Sequence, residues 1–345
     1  MSRVVRFHEF GDPSVLKIEV QPTAPLSADE VLISVDAIGM SWFDVLCRQN
    51  LAPCSVTLPS GLGYELAGVV KAVGASVTEF KPGDKVASFP AHGVNAYSCY
   101  ADETVLPAKS LVRYPETLTP EQAAAHYFPS LVGWFGLVEL ADLKAGETVL
   151  VTAASRGWGP YILQLVKALG GNVIAATVVG ADKQWLLNLG ADHVIVTDEE
   201  DLVGRVNKLT NGRGADVIMD ALGGPQMRLL GDAIAVGGRL VLFDLYGGNE
   251  TSLPACAAFK KNIRFYINMV TNFTGNESVG IPQNTKAVSK ALEAIRMLTV
   301  DGLLKPCINK VFSFEDVVEA HQYMSKCPSQ GRVVLVVGEY ADLMI

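Results

Sequence analysis

The chain has 345 residues, of which 49% are hydrophobic and 19% charged, and its formal net charge at pH 7 is -8. This length exceeds the size at which one hydrophobic core usually keeps growing, so we expect two domains of an ordinary globular protein. The acidic balance, with scattered basic residues, argues against a nucleic-acid partner, and no apolar run reaches the roughly 18 residues that a membrane span needs.

The first nine residues lack the apolar core of a signal peptide, which predicts a cytoplasmic protein. The cysteines are far apart and none forms a CxxC pair, so the sequence predicts neither a structural zinc site nor a disulfide framework. The six cysteines are Cys47, Cys54, Cys99, Cys256, Cys307 and Cys327.

The region from residue 1 to about 120 is rich in short β-type runs broken by Gly and Pro, such as 30–36 and 66–73. This pattern predicts a compact, mostly β domain.

From about residue 120 to 270 the pattern changes to strands that alternate with helices, which is typical of a doubly wound parallel sheet. Predicted strands are 149–151, 172–177, 193–195, 215–220 and 238–244, and predicted crossover helices are 183–189, 201–209 and 226–236. A further helix at 285–298 and a closing apolar run at 331–337 follow.

A glycine turn joins the first of these strands to an amphipathic helix. Gly157 and Gly159 permit a tight turn, and Pro160 suits the first turn of a helix. The helix N-terminus favours a pyrophosphate, and Arg156 adds a positive charge. An ordinary strand-to-helix turn is the alternative, but ligands of doubly wound domains lie at the carboxyl ends of strands, where this turn is expected. The sequence therefore predicts a dinucleotide site.

Several sequence blocks, in order, carry a family resemblance. They are Asp44 downstream of Gly39, GYELAGVV at 63–70, VGASVTEFKPGDKV at 73–86, LKAGETVLVTAAS at 143–155, LGADHVI at 189–195 and DALGG at 220–224. With them the whole chain resembles the medium-chain dehydrogenase/reductase superfamily, and within it the zinc-free quinone oxidoreductase branch that includes zeta-crystallin. The resemblance implies an α/β protein with a GroES-like catalytic domain at 1–122 and 275–345, a Rossmann cofactor-binding domain at 123–274, and a homodimer.

The zinc alcohol dehydrogenases of this superfamily bind zinc through a Cys and a His, whose places here are taken by Ser41 and Tyr64. Only Cys99 stands where relatives place four closely spaced cysteines. Glu65 alone is a poor ion site, so no metal is predicted. Without a Lewis acid, alcohol oxidation is not expected.

NAD enzymes usually carry an acid at the end of the second strand, where this chain has Val178. Lys183 falls where zinc-free reductases bind the 2′-phosphate, so NADPH is the predicted cofactor, with a solvated lysine as the alternative reading. Thr197 replaces the adenine-stacking Tyr of the family. The predicted cofactor-binding residues are Ser155, Arg156, Gly157, Trp158, Gly159, Lys183, Leu222 and Tyr246.

The predicted reaction is hydride transfer from NADPH to a quinone or to the C=C bond of a conjugated enone or enal. Tyr64 is the first candidate to stabilise and protonate the product anion, and a packed aromatic is its alternative. Asp44 and Ser41 flank the same cleft, although Asp44 also suits a structural cap.

Trp42, Tyr127 and Phe128 are predicted to hold a flat substrate ring, with core packing as the alternative. Two other functions stay open. Ala52 stands near the place of a Tyr in enoyl-thioester reductases of the superfamily, which weakens that assignment without removing it. The departures at Ala52, Val132 and Thr197 also suit a structural protein that binds NADPH without catalysis.

Overall fold

The computed structural model describes residues 1–338, and this part of the chain divides into two compact units. The first unit contains Met1–Phe128, Thr271–Val300 and the chain from Pro306 onward; the second contains Pro129–Val270 with Asp301–Lys305. The predicted borders, 122/123 and 274/275, fall a few residues away from these divisions. Residues 339–345 of the predicted first domain lie outside the described residues.

One short segment departs from the predicted division, because 301–305 groups with the second unit. The backbone N–H of Lys305 donates to the Gln164 side chain at 2.8 Å, and the Gln164 amide donates to the Lys305 carbonyl at 3.0 Å. These two bonds join 301–305 to residues more than a hundred positions earlier, and no local pattern in the sequence signals them.

The strands, numbered in chain order, are β1 Ser2–Arg6, β2 Lys17–Gln21, β3 Glu30–Met40, β4 Glu65–Val73, β5 Lys85–Ser88, β6 Glu103–Pro107, β7 Leu111–Arg113, β8 Thr148–Val151, β9 Asn172–Thr177, β10 His193–Val196, β11 Ala215–Asp220, β12 Ile234–Leu242, β13 Arg264–Ile267, β14 Ile308–Ser313 and β15 Arg332–Val336.

The α-helices are α1 Trp42–Arg48, α2 Pro120–Ala124, α3 Tyr127–Trp134, α4 Gly159–Ala168, α5 Lys183–Asn188, α6 Leu202–Leu209, α7 Met227–Ala233, α8 Ala255–Lys261, α9 Thr271–Thr274, α10 Thr285–Val300 and α11 Val317–Met324. Short 3-10 turns occupy Pro13–Val15, Ala108–Ser110, Gly180–Asp182, Glu277–Val279 and Phe314–Asp316, and a π-helical segment, Phe135–Leu140, continues α3.

In the first unit, β3 is the centre of a seven-stranded sheet with the order β14-β15-β3-β4-β5-β7, in which β6 also pairs with β3. All of these pairs are antiparallel except β14 with β15. β15 returns from the far end of the chain to pair with β3, Val333 opposite Met40. This sheet confirms the predicted GroES-like, mostly β fold, and it contains strands from both ends of the chain.

In the second unit, six parallel strands form one sheet in the order β10-β9-β8-β11-β12-β13. The order reverses between β8 and β11, because the chain first adds β9 and β10 on one side and then crosses over to add the remaining strands. The doubly wound parallel sheet is therefore confirmed, and its switch point lies between β8 and β11.

The core of the second sheet explains why its strands form where the sequence predicts them. Val149, Leu150 and Val151 are fully buried, as expected for a strand with helices on both faces. Leu150 packs with Ile174, Ile195 and Ile218 from the neighbouring strands in one apolar cluster. Within residues 1–338, no helix is both long enough and apolar enough to cross a bilayer.

One predicted boundary in the second unit is wrong. The helix expected at 226–236 ends at Ala233, and β12 begins at Ile234, four residues before the predicted strand. Val236, assigned to the helix, lies in β12 and is exposed. Ile234 and Ala235 already pack in the interior, so burial in the sheet outweighs the weak local preference for helix in this segment.

Candidate functional site

The glycine turn that follows β8 occupies the switch point of the second sheet. It spans the residues between Val151 and the start of α4 at Gly159. A Cβ atom on Gly159 would lie 2.5 Å from the carbonyl oxygen of Ala154, so only glycine fits there. Gly157 has a positive φ of 47°, which a residue with a side chain rarely adopts. Both predicted glycine roles are therefore consistent with the backbone geometry.

Hydrogen bonds between β8 and β11 hold this turn in place. The Thr152 hydroxyl donates to the Asp220 carboxylate at 2.6 Å and accepts the backbone N–H of Ala221 at 2.9 Å. Asp220 in turn accepts the N–H groups of Leu222 and Gly223. The predicted DALGG block thus forms the second loop at the switch point, and Leu222 lies in it.

The turn is also fastened to the end of β9. The backbone N–H of Ala154 donates to the Ala176 carbonyl at 2.9 Å, and the Ser155 and Thr177 hydroxyls are 3.0 Å apart. Ser155 is fully buried in this contact. Val178, which follows β9 directly, has 44% of its surface exposed, so an exposed apolar side chain stands where NAD enzymes carry an acid.

Two cations lie at the same edge of the second sheet, Arg156 in the glycine turn and Lys183 at the first residue of α5. Neither forms an ion pair with any residue from 1 to 338. Ligands of a doubly wound domain lie at the carboxyl edge of its sheet. A cation there that forms no ion pair with these residues is available to bind a phosphate.

Trp158 lies in the turn, and Tyr246 lies close to it. The Trp158 ring lies 6.3 Å from the Phe243 ring and is buried, which supports a packing role for this unusual residue. A Cβ atom on Gly157 would be 2.5 Å from the Tyr246 hydroxyl, so this hydroxyl lies directly against the turn. The structure therefore brings together, around one turn, most of the residues predicted to bind the cofactor.

In the first unit, Ser41 and Asp44 begin α1 as a capping box. The Asp44 carboxylate accepts the backbone N–H of Ser41 at 2.8 Å and its hydroxyl at 3.1 Å. Tyr100 donates its hydroxyl to the same carboxylate oxygen at 3.2 Å. Burial raises the pKa of Asp44 to about 6 despite these bonds. The structural cap, which the sequence left open for Asp44, is thus present.

Glu65, the first residue of β4, forms a buried ion pair with Arg332 of β15. Arg332 also donates to the Met40 carbonyl at 2.8 Å, so the pair ties β3, β4 and β15 together. Burial raises the pKa of Glu65 to about 7, while the guanidinium opposes this shift. The Glu65 carboxylate is engaged by a protein cation, which makes it a still poorer ligand for an added ion.

Tyr64 lies in a cluster of rings, which we call the Tyr64 cluster. Its ring centroid is 5.5 Å from Phe43, 5.1 Å from His92 and 6.1 Å from Phe128. The Tyr64 side chain is 6% exposed, and its hydroxyl forms no hydrogen bond with any residue between 1 and 338. Burial raises the pKa of Tyr64 well above its ordinary value, so the hydroxyl is protonated at neutral pH.

The predicted substrate residues have different surroundings. Phe128 belongs to the Tyr64 cluster, and its ring meets Tyr64 edge-on. Tyr127 is almost fully buried beside His126, whose Nε2 lies 2.7 Å from the Thr299 hydroxyl; this arrangement favours core packing for Tyr127. Trp42 is half-buried at the start of α1. Burial lowers the pKa of His126 to about 3, so this histidine is neutral.

Two residues near Tyr64 were missed by sequence reasoning. His92 and Phe43 are separated from Tyr64 by 28 and 21 positions (92 − 64 and 64 − 43), without a spacing that marks them. Between residues 1 and 338, no three His, Cys, Asp or Glu side chains are placed to hold a metal ion.

Comparisons with known proteins agree with this architecture. Residues 27–116 match the family model described as "Alcohol dehydrogenase GroES-like domain", and residues 189–335 match the model described as "Zinc-binding dehydrogenase". The first match lies in the first unit, and the second begins in the second unit and continues into the first.

Individual relatives identify the branch of the family to which the chain belongs. A quinone oxidoreductase of Pseudomonas aeruginosa is 32% identical over 97% of this chain and 100% of that protein. A highly reducing polyketide synthase of Gibberella zeae is 31% identical over 90% of this chain, which spans only 13% of that protein. The structure of Escherichia coli quinone oxidoreductase complexed with NADPH is 26% identical, covers 97% of this chain and 100% of that one, and has a TM-score of 0.87. The chain therefore belongs to the quinone oxidoreductase branch of the medium-chain dehydrogenase/reductase superfamily.

Proposed function

We propose that this chain is an oxidoreductase that uses NADPH to reduce a quinone, or the C=C bond of a conjugated enone or enal, without a metal ion. Family membership and the NADPH-bound relative support the cofactor. The single observation that carries the chemistry is Tyr64, whose protonated hydroxyl lies in a cluster of rings and forms no hydrogen bond with any of residues 1–338.

The second unit fits NADPH on three counts. The absence of a side chain at Gly159 lets the turn fold tightly against Ala154 and brings the start of α4, whose N-terminus favours a pyrophosphate, directly after β8. Among residues 1–338, no carboxylate forms an ion pair with Arg156 or Lys183. Val178 carries no charge to repel a 2′-phosphate. We assign the pyrophosphate to the turn from Ser155 to Gly159, with Leu222 and Tyr246 beside it, and the 2′-phosphate to Lys183.

When bound, NADPH supplies a hydride to the acceptor. The acceptor is left with an anionic oxygen, which needs a hydrogen-bond donor and then a proton. Tyr64 has the required form, because burial keeps its hydroxyl protonated and no group within residues 1–338 forms a hydrogen bond with it. Asp44, held by Ser41 and Tyr100, positions the start of α1, and Phe43 of that helix packs on Tyr64.

The donor chemistry supports a metal-free reaction. Zinc prefers thiolate and imidazole ligands, whereas the two corresponding positions here hold the hydroxyls of Ser41 and Tyr64. Ser41 already donates to Asp44, and Glu65 is paired with Arg332. None of these groups is left as a strong zinc ligand.

The test is an NADPH-oxidation assay with a panel of quinones, enals and enones, run with and without a metal chelator. We expect turnover that the chelator does not change. Activity that is lost with chelator and returns with added zinc would contradict the metal-free proposal. Tight NADPH binding without turnover on any acceptor would favour the non-catalytic alternative.

A second candidate, an enoyl-thioester reductase, is favoured by the match to the polyketide synthase. Ala52 argues against it, since the corresponding Tyr of those reductases is missing in the loop after α1. Thioester substrates added to the same panel distinguish the two functions by their ratio of kcat/KM.

We also propose that the protein is a homodimer of the cytoplasm. Strand β13 is an edge strand of the second sheet, and an edge strand can pair with a strand of another chain. Ile267 on this strand is 67% exposed, and Phe259 on α8 is 92% exposed. Light scattering tests the dimer, and Ile267→Lys is expected to shift it towards monomer.

A further inference from the structure

His92 belongs to the Tyr64 cluster but has no role in the proposed function. Its ring centroid is 5.1 Å from that of Tyr64, at an interplanar angle of 52°, and 5.6 Å from that of Tyr97, which it meets edge-on. The Tyr97 hydroxyl donates to the Glu30 carboxylate at 2.7 Å. The imidazole is therefore held between two aromatic rings, one of which is itself fixed by a hydrogen bond.

The loop that carries His92 lies between β5 and β6 and is fastened on both sides of this residue. Before it, the backbone N–H of Phe89 donates to the Ser110 carbonyl at 3.0 Å. After it, the backbone N–H of Ala96 donates to the Gly93 carbonyl at 3.1 Å. The position of the imidazole thus follows from an ordered backbone as well as from its aromatic neighbours.

The polar atoms of this ring are enclosed and unsatisfied. His92 is 7% exposed, and neither of its nitrogens forms a hydrogen bond with any residue from 1 to 338. The backbone of Gly63 approaches the ring and favours its charged form, but no hydrogen bond of ordinary geometry joins them. An enclosed donor without a partner is costly, whereas a purely apolar ring would make the same packing contacts without this cost. The unpaired imidazole therefore points to a ligand that completes its hydrogen bonding.

The imidazole and the Tyr64 hydroxyl are both uncharged donors. Burial lowers the pKa of His92 to about 4, so the ring is neutral at neutral pH and keeps one N–H. Tyr64 keeps its proton for the same reason. Two neighbouring rings thus each hold a donor, and no residue between 1 and 338 accepts a hydrogen bond from either. Because both rings are shielded from water, a hydrogen bond from either to a developing negative charge is stronger than it would be in water.

We propose that His92 is a second hydrogen-bond donor to the acceptor oxygen, so that its N–H and the Tyr64 hydroxyl together stabilise the charge that develops there. This role rests on the proposed function, since it requires a carbonyl acceptor at Tyr64. The acceptor receives a hydride from NADPH, which leaves NADP⁺, and the carbonyl oxygen becomes anionic. Tyr64 gives its proton to the product anion and regains one from water, while His92 keeps its proton throughout.

His92→Phe and His321→Phe are a matched pair of variants for testing this role. His321 is fully buried, its nitrogens are likewise without a hydrogen-bond partner among residues 1–338, and its ring lies outside the Tyr64 cluster, 5.9 Å from Tyr100. We expect kcat to fall about a hundredfold in His92→Phe with little change in KM, and to change less than about twofold in His321→Phe. His92→Asn, which offers an amide N–H, should recover about tenfold of the loss. A wild-type kcat in His92→Phe, equal losses in both Phe variants, or no recovery in His92→Asn would overturn the proposal.

A binding measurement separates this inference from the proposed function. The probe is para-nitrophenolate, an aromatic oxyanion whose absorbance responds to hydrogen bonding, titrated into the full chain with NADP⁺, which has no hydride to transfer. We expect its Kd to rise about tenfold in His92→Phe and in Tyr64→Phe and to stay unchanged in His321→Phe. This pattern without reduction of any acceptor contradicts only the proposed function. Normal reduction of acceptors, with the same kcat and the same phenolate Kd in the wild type and His92→Phe, contradicts only this inference.

Discussion

The glycine turn of the second unit and the Tyr64 cluster of the first unit are built in different ways. The turn is made of consecutive residues that follow β8, and its properties come from backbone shape and helix direction. The cluster is assembled from side chains of α1 and α3, of Tyr64 just before β4, and of the loop after β5. The backbone of the turn keeps its shape because side chains are absent at the glycines. The properties of the Tyr64 cluster depend on how deeply its side chains are buried and on which groups are their neighbours. Substitutions in the two regions should therefore fail in different ways.

The largest effect is expected at Asp44, a buried carboxylate whose charged form is destabilised by burial. Folded Asp44 holds its proton up to about pH 6, whereas the unfolded chain releases it near the ordinary pKa of 3.8. Between these values the folded state binds more protons, so the free energy of unfolding decreases as pH rises. Asp44→Asn removes this dependence, and the variant should gain up to about 3 kcal/mol relative to the wild type between about pH 4 and about pH 7.

Urea unfolding across this pH range measures the difference, and Asp29→Asn, at an exposed carboxylate, is the matched control. A stability difference between Asp44→Asn and the wild type that stays constant with pH would show that Asp44 does not carry a buried charge.

The next effect is expected in catalysis at the Tyr64 cluster. Tyr64→Phe keeps the ring packing and removes only the hydroxyl, so we expect kcat to fall about a hundredfold with little change in KM. Tyr323→Phe is the control, because that hydroxyl donates to Asn309 in the same unit at 2.6 Å. Unchanged turnover in Tyr64→Phe would return Tyr64 to a packing role.

In the glycine turn, Gly159→Ala should act through the backbone. Its Cβ atom would lie 2.5 Å from the Ala154 oxygen and 2.8 Å from the Ala154 Cα, so the turn must shift. We expect NADPH binding to weaken about thirtyfold, or about 2 kcal/mol, as measured by NADPH fluorescence titration. Gly93→Ala, where an added Cβ meets nothing within 4 Å, is the control. Normal NADPH affinity in Gly159→Ala would mean that the turn does not bind the pyrophosphate.

The smallest effect is expected at Lys183, an exposed charge on the rim of the same site. Lys183→Ala should weaken NADPH binding about tenfold and leave NADH binding unchanged, because only NADPH carries the 2′-phosphate. Lys208→Ala, another exposed lysine of the second unit, should change neither affinity. Parallel losses for NADPH and NADH in Lys183→Ala would assign the lysine to general binding and not to cofactor selection.

The contrast between the two regions also explains which helices and strands could be predicted from the sequence. Strands β9 and β11 and the start of α4 lie where the apolar periodicity and the glycine turn predict them, since these signals are local. The edge strand β13 and helix α8 were not predicted, because both are short and much of their surface is exposed. Where the local preference for helix or strand is weak, packing in the fold decides the structure, as it does in the segment that contains Val236.

The sequence by itself determined the two-part architecture, the glycine turn at the head of a parallel sheet and the hydroxyl residues in place of zinc ligands. These features depend on the order of residue types along a short stretch of chain. Only the tertiary structure decided that Glu65 pairs with Arg332 and that His92 packs against Tyr64. Each of these contacts joins residues from different elements, and burial then sets their charge and reactivity. Burial depends on the packed fold and leaves no spacing pattern in the sequence.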